Sequence, residues 1–113
     1  MQLAVLGLNH KTAPVEVRER FTLSKEKVRR GLQHLREYDP VHEAVVVSTC
    51  NRSEVYAIVG DEATDGDALY RFWSDMTGSR EKIDEYMYTF TDEACIRHLF
   101  RVASSLDSLV IGE

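Results

Sequence analysis

The chain is poor in cysteine, in long apolar runs and in basic charge, and each shortage excludes something. Its two cysteines, Cys50 and Cys95, lie far apart in an apolar–polar pattern that does not resemble a disulfide framework. Free thiols in a cytoplasmic protein are the simpler expectation. No apolar run approaches the roughly 20 residues needed to span a bilayer, and no signal peptide opens the chain, so no membrane partner is expected. Its six glycines show no G-x-G-x-x-G spacing, so the chain is not expected to hold a dinucleotide by itself. Fourteen Lys and Arg against nineteen Asp and Glu give a net charge of −5, a poor match for a domain that grips RNA unaided. The one basic cluster, Lys25, Lys27, Arg29, Arg30 and Arg36, reads as a solvated helix face.

What is present fits a single domain. At 113 residues the chain can bury one core but not two, and its 43% hydrophobic and 29% charged content is ordinary for a globular protein. The most informative segment is Val45-Val46-Val47-Ser48-Thr49-Cys50-Asn51-Arg52. An apolar β-branched run that stops in Ser, Thr, Cys, Asn and Arg reads as a buried strand delivering a polar tip. Thiolate is the reactive form of cysteine, and a nearby cation lowers the thiol pKa. Arg52 can supply that charge or bind a carboxylate through two parallel hydrogen bonds. The competing reading is an inert, packed cysteine at a strand end, the usual fate of a free thiol.

The pattern predicts strands over 2–8, 43–49, 54–59 and 85–90, and helices from Ser24 to about 38, over 68–76 and from 92 to about 105. Residues 9–14 are expected as a loop, with 50–53 as a short hairpin connection. Ser24 and Thr91 are the expected caps, Asp39-Pro40 and Gly78 the expected stops. The order β-α-β-β-α-β with an added C-terminal helix predicts an α+β domain with the split βαβ, ferredoxin-like sheet. In that topology the first strand ends beside the 50–53 connection. The loop Asn9-His10-Lys11-Thr12 is then either a wall of the pocket at Cys50 or a cover over the core.

Cys95 and His98 stand three apart, on one face of the last helix. No further ligand pair shows matching spacing, so no metal site is expected. His98 reads as a structural histidine near the core, and Cys95 reads as core.

Three segments resemble the N-terminal catalytic domain of the glutamyl-tRNA reductases, which open the C5 route to tetrapyrroles and heme. They are Ser48-Thr49-Cys50-Asn51-Arg52-Ser53-Glu54-Val55-Tyr56, the stretch from Leu6-Gly7-Leu8-Asn9-His10 to Arg20, and the stretch from His98-Leu99-Phe100-Arg101 to Glu113. They occur in the family's order and span most of the chain. The resemblance implies that residues 1–113 are one catalytic domain that stops before the family's NADPH-binding and dimerisation domains. It also implies a mechanism. Cys50 attacks the ester of glutamyl-tRNA, and NADPH, held by the absent domain of the intact enzyme, reduces the thioester to glutamate-1-semialdehyde. It names Cys50 and His98 as catalytic, and Thr49, Asn51, Arg52, Ser108 and Glu113 as substrate-binding. For the intact enzyme it implies a homodimer and glutamate-1-semialdehyde aminotransferase as a partner. Two other classes fit the residues: a ferredoxin-like binding module without chemistry, and a thiol-dependent esterase on another substrate.

Overall fold

Alternation along the first strand gives the molecule its two layers. A computed structural model describes residues 1–37, 41–60, 67–78 and 85–112, with the side chains of 67 and 105–112 outside the description. Strand β1 (Gln2–Asn9) sends Ala4, Leu6 and Leu8 into the main core and Val5 to the opposite face. Strand β3 (Arg52–Val59) repeats the split: Val55, Ala57 and Val59 join the main core, and Tyr56 joins Val5 on the other side. With β2 (Val41–Ser48) and β4 (Tyr88–Thr91) they form one four-stranded sheet of order β2-β3-β1-β4, every neighbouring pair antiparallel.

Three helices cover the main face. Helix α1 (Val15–Phe21) was not expected: its segment is short, and Pro14 suggested only a loop. Pro14 in fact starts it, because its fixed φ of −69° suits the residue before a helix, and Val17 and Phe21, four apart, bury one face. Helix α2 (Lys25–Arg36) is capped by Ser24, whose side chain accepts from the Lys27 N–H at 3.2 Å. Helix α3 (Asp67–Thr77) ends at Gly78, whose φ of 70° and bond to the Ser74 carbonyl at 2.9 Å make the expected stop. Its fully buried Trp73 packs against Phe21 and Phe72 and donates to the Leu6 carbonyl at 3.0 Å, tying the aromatic cluster to β1.

The C-terminal part departs from expectation in three ways. Strand β4 is shorter than the predicted 85–90 and begins only at Tyr88, where pairing with Gly7 becomes available. Thr91 is the last residue of that strand rather than a cap. The turn falls on Asp92, at φ 49°, and its Oδ1 accepts from the Leu3 N–H at 3.1 Å. Helix α4 (Asp92–Gly112) continues seven residues past the predicted end at 105, since no Gly or Pro interrupts it before Gly112. It lies on the face opposite the other helices, presenting Cys95, His98 and Val102 to the sheet. The expected stop at Asp39-Pro40 lies outside the described residues. No described helix is long and apolar enough to cross a membrane.

Candidate active site

The β2–β3 hairpin tip is built by hydrogen bonds of its own sequence. The Thr49 N–H donates to the Arg52 carbonyl at 2.8 Å, and the Thr49 hydroxyl accepts from the N–H groups of Asn51 and Arg52, both at 3.2 Å. Thr49, Cys50 and Asn51 thus form a tight three-residue tip, which starts one residue before the predicted 50–53 connection and ends two residues short of its end. Serines fix its base. Ser53 donates to the Phe21 carbonyl at 2.9 Å, and Ser48 accepts from the Leu23 N–H at 3.3 Å, tying the hairpin to the junction of α1 and α2. Cys50 is exposed at the crown of this turn and free of any disulfide. The packed reading does not hold for it.

Cys95 is the contrasting thiol. It is fully buried between β1, β3 and α4, and burial, with Glu54 and Asp92 nearby, pushes it up to about 11.

The loop after β1 stands beside Cys50. The His10 N–H donates to the Asn51 carbonyl at 2.9 Å, and Asn9 pairs with Arg52 across the ladder. The Asn9 side chain accepts from the Lys11 and Thr12 N–H groups at 2.9 and 3.2 Å, which sets the turn of the loop. This loop is a wall of a cleft of about 570 Å³ that Arg52, Tyr88, Phe90, His98, Arg101 and Val102 close from the other sides. Cys50 lies at the adjoining hairpin tip rather than in the wall itself.

Beneath the cleft sits a group that the sequence reading missed. Glu54 is fully buried, yet its carboxylate is surrounded by partners. Tyr56 donates to Oε1 at 3.0 Å and Tyr88 to Oε2 at 2.6 Å, while His98 Nε2 contacts Oε2 directly. Burial and the neighbouring carboxylate raise both phenols well above the ordinary tyrosine value. Arg52 Nη1 stands 3.6 Å from Oε2, an ion-pair separation too long for a hydrogen bond, and that buried nitrogen has no hydrogen-bond partner among the described residues. The signal was legible: Arg52, Glu54 and Tyr56 alternate on one strand face, and a carboxylate among apolar strand residues must find partners. His98 is held in the network by Glu54 and stacked against Tyr88 and Phe90 at ring-centre distances of 5.1 and 4.9 Å.

Arg18 also escaped the sequence reading. Its Nη1 donates to the Cys50 carbonyl at 3.4 Å, so a cation of α1 reaches the hairpin tip. Of the predicted site residues, Thr49, Asn51 and Arg52 come together with Cys50 at the tip, and His98 meets Arg52 across the cleft. The Ser108 side chain and Glu113 lie outside the described residues.

Three glycines have roles in the fold itself. Gly7 is mid-strand, with the Glu54 side chain where a Cβ would be, and Gly31 is packed against Phe72 and Met76. Gly78 ends a helix rather than opening one.

The chain is thus an α+β domain with an exposed thiol on a hairpin tip, next to a cleft floored by a buried Arg–Glu–His network. The family model for the glutamyl-tRNAGlu reductase N-terminal domain matches residues 6–113, and the chain belongs to that family. Relatives named glutamyl-tRNA reductase include those of Pelobacter propionicus, 49% identical, and Synechocystis, 44% identical, each aligned over all of this chain. The chain spans about a quarter of their length, 26% and 27% respectively. The structure titled glutamyl-tRNA reductase from Methanopyrus kandleri is similar over 98% of this chain and 24% of its own. The TM-score is 0.65 at 27% identity.

Proposed function

We propose that this domain is the acyl-accepting site of a glutamyl-tRNA reductase serving tetrapyrrole synthesis. The Cys50 thiolate attacks the carbonyl carbon of the ester that joins glutamate to the tRNA 3′ end. As the C–S bond forms the C–O bond breaks, and the departing 3′ oxygen takes up a proton. The product is a glutamyl thioester on Cys50 and free tRNA. An ester is activated enough for a thiolate, and the thioester splits one hard reduction into two easier steps.

Arg52 binds a glutamate carboxylate. What supports this is a buried guanidinium nitrogen without a hydrogen-bond partner among the described residues, at the cleft floor, two residues from an exposed thiol. A buried donor left unpaired costs about 1–3 kcal/mol, which a carboxylate ligand recovers. His98 has Nε2 committed to Glu54, so Nδ1 is the atom it can turn to substrate, for orientation or proton transfer. The Thr49 hydroxyl accepts two backbone bonds and keeps its own hydrogen to donate, and Asn51 completes the tip. Ser108 and Glu113 are assigned to the same pocket by family resemblance.

The chemistry of these residues stops at the thioester. Its reduction to glutamate-1-semialdehyde, with NADPH as donor, belongs to parts of the longer relatives that this chain does not include. The sheet order β2-β3-β1-β4, antiparallel throughout, supports the ferredoxin-like reading of the fold.

Deacylation assays test the assignment. The domain should hydrolyse glutamyl-tRNA faster than glutaminyl-tRNA, because only the former offers Arg52 a carboxylate. Arg52→Lys should lose most of that preference, since a lysine has no planar fork. An unchanged preference would show that another residue reads the side chain.

A further inference from the structure

We infer that Arg18 is a positioning residue for the acyl-transfer step: its guanidinium clamps the main chain at Cys50 and holds the nucleophile in register with the substrate. This role rests on the acyl-transfer reading and extends it to helix α1, which lines no part of the cleft.

The carbonyls of the hairpin tip are held one by one, each by a different donor. The Thr49 N–H takes the Arg52 carbonyl at 2.8 Å and closes the turn, and the His10 N–H takes the Asn51 carbonyl at 2.9 Å from the loop after β1. The carbonyl of the thiol residue itself is reached by Arg18 Nη1 at 3.4 Å, the long end of a hydrogen bond. Among the described residues no other donor reaches it. An exposed residue at the crown of a three-residue tip needs such a support. Reacting groups on loops are placed less precisely than those on helices or strands, and a misplacement of about 1 Å costs on the order of 100-fold in rate.

Helix α1 is a firm base for the clamp. Val17 and Phe21, on either side of Arg18 in the sequence, are buried in the main core. The hairpin base is bonded to the end of the same helix, Ser53 to the Phe21 carbonyl at 2.9 Å and the Leu23 N–H to Ser48 at 3.3 Å. The reach of Arg18 to the tip is therefore set by the fold.

A second observation concerns cost. Among the described residues two buried side-chain nitrogens lack a hydrogen-bond partner, Arg18 Nε and Arg52 Nη1, and both belong to cations at the Cys50 tip. A buried unpaired donor is unfavourable, and an apolar stem of similar length would avoid it. Stability therefore does not account for a guanidinium at this position. The helix dipole does not either, because the exposed Arg20 supplies a cation in the same last turn. What sets Arg18 apart is its contact with the nucleophile's main chain.

Single-turnover acylation by glutamyl-tRNA tests this, with thioester read by acid quench and intact mass against time and substrate concentration. Arg18→Met keeps the aliphatic stem and removes the donor. Its maximal acylation rate should fall about tenfold or more, with half-saturation and the preference over glutaminyl-tRNA unchanged. Arg18→Lys, which can still donate to a carbonyl, should recover most of that rate. Arg52→Lys should show the contrasting pattern and lose the preference. The urea midpoint of Arg18→Met should equal or exceed that of the parent, since the orphaned donor is gone. A rate loss accompanied by a lower midpoint or by weaker half-saturation would overturn the inference, because these mark a structural or a binding role. Parent-like acylation of Arg18→Met would overturn it too and leave the acyl-transfer reading standing. No thioester on the parent would remove that reading, and this role with it.

Discussion

Gly7 lies opposite Glu54 in the β1–β3 ladder, and a Cβ on Gly7 would stand 2.7 Å from Glu54 Cγ and 2.5 Å from the Ser53 carbonyl oxygen. The missing side chain on one strand is what lets the carboxylate of the other lie flat against the sheet. From there it reaches Tyr56, Tyr88 and His98 under helix α4. A glycine that looks incidental in the sequence is therefore part of the floor of the cleft.

Gly7→Ala should destabilise the domain by about 1–3 kcal/mol, the range for overpacking, because one of the clashing atoms is backbone and cannot swing away. Urea unfolding checks this through a lower midpoint with an unchanged slope. A midpoint equal to that of the parent would show that the sheet yields at no cost.

The two phenols are not equivalent. Among the described residues Glu54 Oε1 accepts only from Tyr56, whereas Oε2 keeps His98 when Tyr88 is lost. Tyr56→Phe should therefore cost more than Tyr88→Phe, the first about 2–3 kcal/mol and the second about 1 kcal/mol. Equal losses, or the reverse order, would contradict this account of the network.

The two thiols should separate with pH. Cys95 is raised from 9.0 to about 11, so it stays neutral and unreactive toward iodoacetamide at pH 8, where the exposed Cys50 is alkylated. The stability consequence has a definite sign. A folded-state value above the unfolded one favours the fold below pH 9, and that contribution is lost as pH rises through 11. The raised phenols of Tyr56 and Tyr88 act in the same direction. The urea midpoint should fall above about pH 9, and Cys95→Ala should shift the onset upward. A midpoint that rises with pH over this range would be the opposite of the expected sign.

Much of this was legible in the sequence because period and punctuation agree with the tertiary structure. The alternation in β1 and β3, the Ser24 cap and the Gly78 stop all encode local geometry, and each appears where the pattern puts it. The Cys50 tip was legible for the same reason: an apolar strand can end in such polar residues only at a turn. Helix α1 was hidden because seven residues carry too little periodicity, and its stability comes from burying Val17 and Phe21 under α3. Glu54 was hidden because its partners lie on three different elements. Tyr88 and His98 are 34 and 44 residues away, and only the pairing of β4 and the packing of α4 on the sheet bring them together. Arg18 is an ordinary surface arginine until the fold brings the Cys50 carbonyl within its reach.

The central claim, that Cys50 accepts the glutamyl group, is tested most directly by intact-mass measurement after brief exposure to glutamyl-tRNA and acid quench. The account predicts a mass gain of one glutamyl group, released by hydroxylamine, mapped to Cys50 and absent from Cys50→Ser. A glutamyl adduct on the Cys50→Ser protein, or none on the parent while it deacylates glutamyl-tRNA, would contradict it.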